Sequence, residues 1–375
     1  MTGKGWGGVR SCDLTHFRRP LQSGRKTRLH KKMNIYFITY KFQHHYSISG
    51  YNRLAEFLPC REITVPRRIG RALEKIYTLK MREELKTKIG LPGYFPECLY
   101  LEWRTRLHSF LPGRRLFHIV HPENSFYFTA KIKHSSKTKL IATYHQPPEE
   151  SRQYIVKTDA IKRLDAVILL SESQREFFEP VAGIDKIHVI PHGIDLQFFS
   201  PAVHRPERKK IIAVGNWLRD FPTLASALAI LQELAPDIHC DVVSLEQNRQ
   251  FFSELKNVTF HTGISDGQLL KMYHDASAAL LSLTGAAANN ALLEAMACGL
   301  PVVATDLSAI REYTTANGCR LVPSKNPHGL AGEVIALLSD EPLMRNMGKA
   351  NAAHVQRFDW KAIAEQTMNV YQKLS

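Results

Sequence analysis

A chain of 375 residues exceeds what one hydrophobic core ordinarily organises, so two domains are expected. Its 44% hydrophobic and 23% charged content is that of a soluble globular protein, and no run approaches the ~20 apolar residues of a membrane span. The net charge of +15 is uneven: residues 1–110 carry 22 Lys/Arg against 8 Asp/Glu, while the rest sums to +1, so one half is expected to meet an acidic partner.

Residues 1–32 hold 9 basic residues and one acid, with no apolar core of a signal peptide. They read as a disordered basic tail, and as a candidate extension from an upstream start codon. Six cysteines lack metal-ligand or disulfide-framework spacing; Cys240 and Cys298 sit in apolar runs and read as buried thiols of a reducing cytoplasm.

Structure is expected to begin at Met33, with a strand over Ile35–Thr39, a polar loop to Gly50, and a helix from Tyr51–Asn52. This is a first βα unit of a doubly wound domain. It lacks G-x-G-x-x-G, which argues against a dinucleotide oxidoreductase. Ser49 and Gly50 would let the backbone approach a ligand at a cleft floor, or make a simple tight turn. Residues 61–90 read as a basic amphipathic segment, with Ile69, Leu73 and Ile76 at helical spacing among Arg67, Arg68, Arg71, Lys75, Arg82, Lys86 and Lys88. It suits either an anionic bilayer surface or packing on the core.

Phe117–His121, Lys139–Tyr144 and Ala166–Leu170 read as buried strands. Pro122-Glu123-Asn124 and His145-Gln146-Pro147-Pro148 follow two of them, where open parallel sheets bind ligands. His145 is the residue singled out there, to meet a donor sugar or orient an acceptor hydroxyl, because imidazole exchanges protons near neutrality. After Ile187–Ser200 comes Pro201–Lys210, Pro-rich and charged, the expected linker.

The second half opens with a strand over Lys210–Val214 and then Gly215-Asn216-Trp217-Leu218-Arg219-Asp220. A strand ending in Gly before a basic residue suits a diphosphate, and Arg219 can offer it a bidentate fork. Further strands are expected at Ile238–Val243, Val258–His261 and Ala278–Leu283. The small-residue loop Thr284–Asn290 suits close approach by a phosphate or sugar ring. It enters Asn289–Thr305, NNALLEAMACGLPVVAT, in which two asparagines can cap a helix, Gly299 and Pro301 close it, and Val302–Ala304 form a buried strand. Glu294 stands alone in that helix, near amides that accept phosphate oxygens. An Asp359-capped helix, Trp360–Leu374, ends the chain, with Trp360 read as a packing anchor.

Five stretches in this order resemble family-4 glycosyltransferases, retaining enzymes of the GT-B fold. They are the N-terminal strand-loop-helix, TYHQPP, IPHGIDLQFFSP, VGNWLRDF and NNALLEAMACGLPVVAT. The resemblance implies an α/β GT-B architecture, two Rossmann-like doubly wound domains facing a deep cleft. Residues 33–200 would form the acceptor-side domain, 201–210 the linker, 211–357 the donor-nucleotide domain, and 358–375 a helix crossing back to the first. It implies a donor site of Ser49, Gly50, Gly215, Asn216, Arg219, Ala288, Asn289, Asn290 and Glu294, with His145 and Arg219 in the catalytic role. Glu294 would hold the ribose hydroxyls.

Two departures stand out. The family pattern has a second cation in the 215–221 loop, where Phe221 lies close to the Lys position. It also has a first glutamate eight positions before Glu294, where this chain has Ala286. Asn289 and Asn290 are left to meet the sugar, or the sugar is held differently. The expected activity is metal-independent transfer, with retention, from a nucleoside-diphosphate sugar to a lipid-linked or cell-envelope acceptor. No D-x-D-type acidic pair follows a strand of the donor half. No cofactor and no nucleic-acid partner are expected; the place is cytoplasmic, with residues 61–90 on the inner membrane face. The rivals are a catalytically weak nucleotide-sugar binder and a GT-B-fold sugar-nucleotide epimerase.

Overall fold

The computed structural model describes residues 33–40, 48–76, 79–89, 91, 93–132, 137–155, 157–202 and 209–375. The basic tail, most of the loop after the first strand and residues 203–208 of the expected linker lie outside them.

Six strands form a first sheet: β1 (Met33–Ile38), β2 (Arg61–Ile63), β3 (Arg114–Ile119), β4 (Thr138–Tyr144), β5 (Ala166–Leu169) and β6 (Ile187–Val189). Six more form a second: β7 (Lys210–Val214), β8 (His239–Val243), β9 (Val258–His261), β10 (Ala278–Leu281), β11 (Val302–Thr305) and β12 (Cys319–Val322). Their orders are β2-β1-β3-β4-β5-β6 and β12-β11-β10-β7-β8-β9, and the neighbours in each are parallel. Parallel strands need covering on both faces, which is why β5 (Ala-Val-Ile-Leu) and β11 (Val-Val-Ala-Thr) are buried along their whole length. Each sheet is sandwiched between two apolar clusters.

Two local expectations are revised. The segment after Gly50 is a 3₁₀ helix, Tyr51–Phe57, and not an α-helix. Residues 61–90 are not one amphipathic unit: Arg61–Ile63 pair with β1 as an edge strand, Pro66 follows, and helices Arg67–Ile76 and Leu79–Ile89 come after it.

The last helix, Trp360–Lys373, packs Trp360, Ile363, Ala364, Val370 and Tyr371 into the cluster that covers β1 and β3 of the first sheet. The Tyr371 hydroxyl lies 2.5 Å from His118 Nδ1, and His118 Nε2 is 2.7 Å from Thr143 Oγ1. Burial drives the His118 pKa down to about 3, so the ring is a neutral structural link at physiological pH. Gly193 is required by this docking, since a Cβ there would stand 2.2 Å from Trp360 Cε3. Asp195 does turn chemistry, accepting from Gln197 N and Phe198 N, and also pairs with Arg53 at 2.5 Å.

Candidate active site

Each sheet has a strand pair from which the chain departs in opposite directions: β1 and β3 in the first, β7 and β10 in the second. Loops leaving the carboxyl ends of such a pair diverge and leave room for a ligand. Apart from His145, which follows β4 next to β3, the candidate residues fall on the loops after β1, β7 and β10 and on the helix that follows β10.

After β7 the backbone turns at Gly215 (φ +122°) and again at Leu218 (φ +54°). A Cβ on Gly215 would stand 2.3 Å from Arg219 Nη2, so the glycine makes room for the chain's own guanidinium. Arg219 donates from Nε to Val214 O (2.9 Å), from Nη1 to Trp217 O (3.1 Å) and from Nη2 to Asn289 Oδ1 (3.4 Å). Burial lowers its pKa to about 10, against the pull of Tyr273 and Glu294, and it stays cationic at neutral pH. Asp220 caps the next helix through Thr223 N (3.1 Å). Asn216 turns the other way: its Oδ1 accepts from Ser244 Oγ (2.8 Å) and Leu245 N (2.7 Å), tying the loop to the one after β8.

Helix Asn290–Ala297 is capped by Asn289, whose Oδ1 accepts from Leu292 N at 3.0 Å. That oxygen is thus shared between the cap and Arg219. Asn290 instead donates to Ser49 O, 3.1 Å away on the first domain. Glu294, 2% exposed, accepts from the Tyr273 hydroxyl at 2.8 Å and from the Ser49 hydroxyl at 2.5 Å. Burial raises its pKa, and the two hydroxyls pull it back. Ala288 packs against apolar clusters of both sheets. Gly50 has φ −73° and ψ 144°, a conformation open to any residue. The two positions that depart from the family pattern are filled by apolar packing. Ala286 is buried, and Phe221 stacks on Phe251 with ring centroids 5.7 Å apart.

On the first domain, His145 Nε2 lies 2.6 Å from Val120 O. A carbonyl only accepts, so Nε2 carries the proton. The ring sits between Tyr51 (4.9 Å) and His121 (4.7 Å). Its turn is clamped from two sides. Glu123, buried, accepts from His145 N at 2.5 Å and from the backbone of Gln146. Gln174 donates to Tyr144 O (3.1 Å) and Gln146 O (2.9 Å). Burial pushes the Glu123 pKa up to about 7 against these hydrogen bonds. From the far domain, Trp217 Nε1 donates to Gln146 Oε1 at 3.0 Å.

The structure therefore brings Ser49, Asn290, Glu294, Asn289 and Arg219 into one chain of contacts across the two domains. His145 and Gln146 join through Trp217.

Two family models cover most of this framework. "Glycosyltransferase Family 4" matches residues 78–198 and "Glycosyl transferases group 1" matches residues 208–340. The chain belongs to the family-4 glycosyltransferases. It is 24% identical over 278 residues to a phosphatidyl-myo-inositol mannosyltransferase of Mycolicibacterium smegmatis, covering 68% of this chain and 70% of that one. To a D-inositol 3-phosphate glycosyltransferase of Arthrobacter it is 27% identical, covering 70% and 66%. Among solved structures it resembles Anabaena HepE in complex with UDP and glucose. There the TM-score is 0.68 at 15% identity, over 91% of this chain and 99% of that one, a likeness of fold. The two parallel sheets make this glycosyltransferase a GT-B protein.

Three residues of the candidate site in this glycosyltransferase escape a reading of the sequence. Tyr273 has the spacing of ordinary core, yet its hydroxyl fixes Glu294. Glu123 and Gln174 clamp a turn more than twenty residues away from each of them. The one signal available was a carboxylate just past a buried strand, at Glu123.

Proposed function

We propose that this glycosyltransferase moves a sugar from a nucleoside diphosphate to an acceptor hydroxyl with retention of configuration, without a metal, and that the acceptor is lipid-linked or part of a cell-envelope glycan. The observation that carries it is that Ser49 of the first domain meets both Glu294 and Asn290 while Asn289, the neighbour of Asn290 in the chain, meets Arg219, which sets a cation, helix amides and one carboxylate opposite the first domain. Arg219 and the amides at the start of helix Asn290–Ala297 would neutralise charge on the leaving diphosphate. Glu294 would take the ribose hydroxyls by exchanging its bond to Ser49 for one to the donor. Ser49, Gly50, Gly215, Asn216 and Ala288 would line the donor, and His145 would meet the sugar from the first domain. Front-face attack lets the departing phosphate take the acceptor proton, so no protein base is required. Closure of the two domains would keep water from the donor.

The relatives support this reading, since their names place them on inositol-bearing acceptors, some of them lipids. No helix among the described residues is long and apolar enough to cross a membrane, which leaves a peripheral position on the cytoplasmic face open to this proposal. Ala286 and Phe221, apolar where the pattern has Glu and Lys, favour a second reading, a binder of nucleotide sugars with weak transfer. Calorimetry with a panel of nucleotide sugars, followed by radiolabelled transfer to membrane extract, separates the two. Label appearing in lipid or glycan is expected; tight binding with no transfer to any extract would leave the binder.

A further inference from the structure

Helix Pro96–Ser109 is apolar on two opposite faces. Cys98, Leu101 and Thr105 point inward and are buried, as expected for a helix covering a sheet. The other face is also apolar, and it is in solvent. Tyr100, Trp103, Leu107, Phe110 and Leu111 follow at steps of three, four, three and one, a single stripe continued past the helix end. Trp103 is 55% exposed, Leu107 44%, Phe110 73% and Leu111 47%. Scattered exposed leucines need no explanation, but four large apolar residues in one stripe do.

The flanks of the stripe are cationic. Arg104 lies along one edge with its Nη1 3.4 Å from the Tyr100 hydroxyl. Arg106 lies along the other with its guanidinium 6.0 Å from the Phe110 ring centroid. The acids of this helix do not oppose them, since Glu97 and Glu102 are both buried, and Glu102 is consumed by Tyr94, Tyr127 N and Thr129 N. The neighbouring helix Arg67–Ile76 adds exposed Arg67, Arg68, Arg71 and Lys75.

We infer that this stripe is a membrane-docking face, seating Trp103, Leu107, Phe110 and Leu111 in the headgroup region of an anionic bilayer while Arg104 and Arg106 meet lipid phosphates. Amphipathic aromatic rings and long cationic side chains around an apolar ridge are what an interface between hydrocarbon and water selects. A second copy of the chain fits less well, because pairing two such faces would oppose like charges. The docking face deepens the reading of a lipid-borne acceptor and rests on it for its purpose, but its test involves neither donor nor acceptor.

The full chain is floated with vesicles of phosphatidylcholine alone and of phosphatidylcholine with phosphatidylglycerol. Binding to the anionic vesicles only is expected. Leu107→Asp with Phe110→Glu should lower the bound fraction at least tenfold, and Arg104→Ala and Arg106→Ala roughly fivefold each. Because Arg106, Leu107 and Phe110 are exposed and Arg104 is half-exposed, these variants should keep the unfolding midpoint of the parent. Independently, brominated phosphatidylglycerol should quench tryptophan emission in the parent and less in Trp103→Phe. Equal flotation of parent and Leu107→Asp/Phe110→Glu would overturn the inference. So would a parent dimer in sedimentation that this variant splits, since the stripe would then pair with itself. Loss of transfer activity with intact flotation would instead strike the proposed function alone.

Discussion

Around β7 and β10, the polar groups of the site arrive on elements whose ends are written in the adjacent sequence. Asn289 caps its own helix, Asp220 caps another, and Arg219 bonds back to Val214 and Trp217 within its own loop. Around β3 and β4, His145 and Gln146 owe their places to Glu123 and Gln174, each more than twenty residues distant. One wall of the cleft is preorganised by local chemistry and the other by long-range clamps. The first wall should therefore lose function residue by residue when its members are cut. The second should lose geometry and proton balance.

Arg219→Ala offers the largest break in that contrast. A half-buried cation placed for phosphate should contribute about 3 kcal/mol to nucleoside diphosphate affinity, roughly a hundredfold, through two charge-assisted hydrogen bonds. Nucleoside binding should change little. Calorimetry of the diphosphate and of the nucleoside reads the difference, and an equal loss for both would remove Arg219 from the phosphate role. Glu294→Ala comes next: nucleoside affinity should fall by about 1–3 kcal/mol, because a ribose hydroxyl would be left unpaired in a buried place. A matching loss of diphosphate affinity is expected, since both ligands share the ribose.

The contrast also governs what could be read from the chain alone. The two sheets were legible because short apolar runs such as Ala-Val-Ile-Leu and Val-Val-Ala-Thr, spaced by helical patterns, have few other ways to bury both faces. Gly299 after helix Asn290–Ala297, at φ +67°, marks its end in the sequence as it does in space. Gly215 was legible as a turn, but its reason, the Arg219 guanidinium folded over it, depends on a rotamer that no spacing encodes. Tyr273 was hidden for the same cause: its ring is core and only its hydroxyl reaches Glu294. The segment 61–90 misled because its basic residues repeat helically although its first three residues join an edge strand.

For the clamped wall, pH is the sharper probe. Glu123 is held near 7 in the folded state and returns to the ordinary range near 4.3 on unfolding. Between those values the native protein binds the extra proton, so stability should fall as pH rises from about 4.5 to 7 and level off above. The slope from one such group is at most about 1.4 kcal/mol per pH unit. Glu294 and Glu102, also raised by burial, act with the same sign. Glu123→Gln should flatten the urea midpoint measured between pH 5 and 8, by up to one proton's worth. An unchanged slope would mean that Glu123 is ionised throughout this range.

The smallest effect tests the seam where the two walls meet. Ser49 donates to Glu294 from across the cleft, and Asn290 holds the Ser49 carbonyl in place. A ribose hydroxyl approaching Glu294 Oε1 must compete with that hydroxyl for the same lone pairs. Removing the competitor in Ser49→Ala should raise nucleoside affinity a few-fold, in line with about 1 kcal/mol for one exchanged hydrogen bond. If Ser49 instead touches the donor directly, the same substitution lowers affinity, so the sign alone decides between a seal and a ligand contact. Combining it with Glu294→Ala completes the comparison. A seal predicts that the gain vanishes once its acceptor is gone, whereas a direct contact predicts that the two losses add.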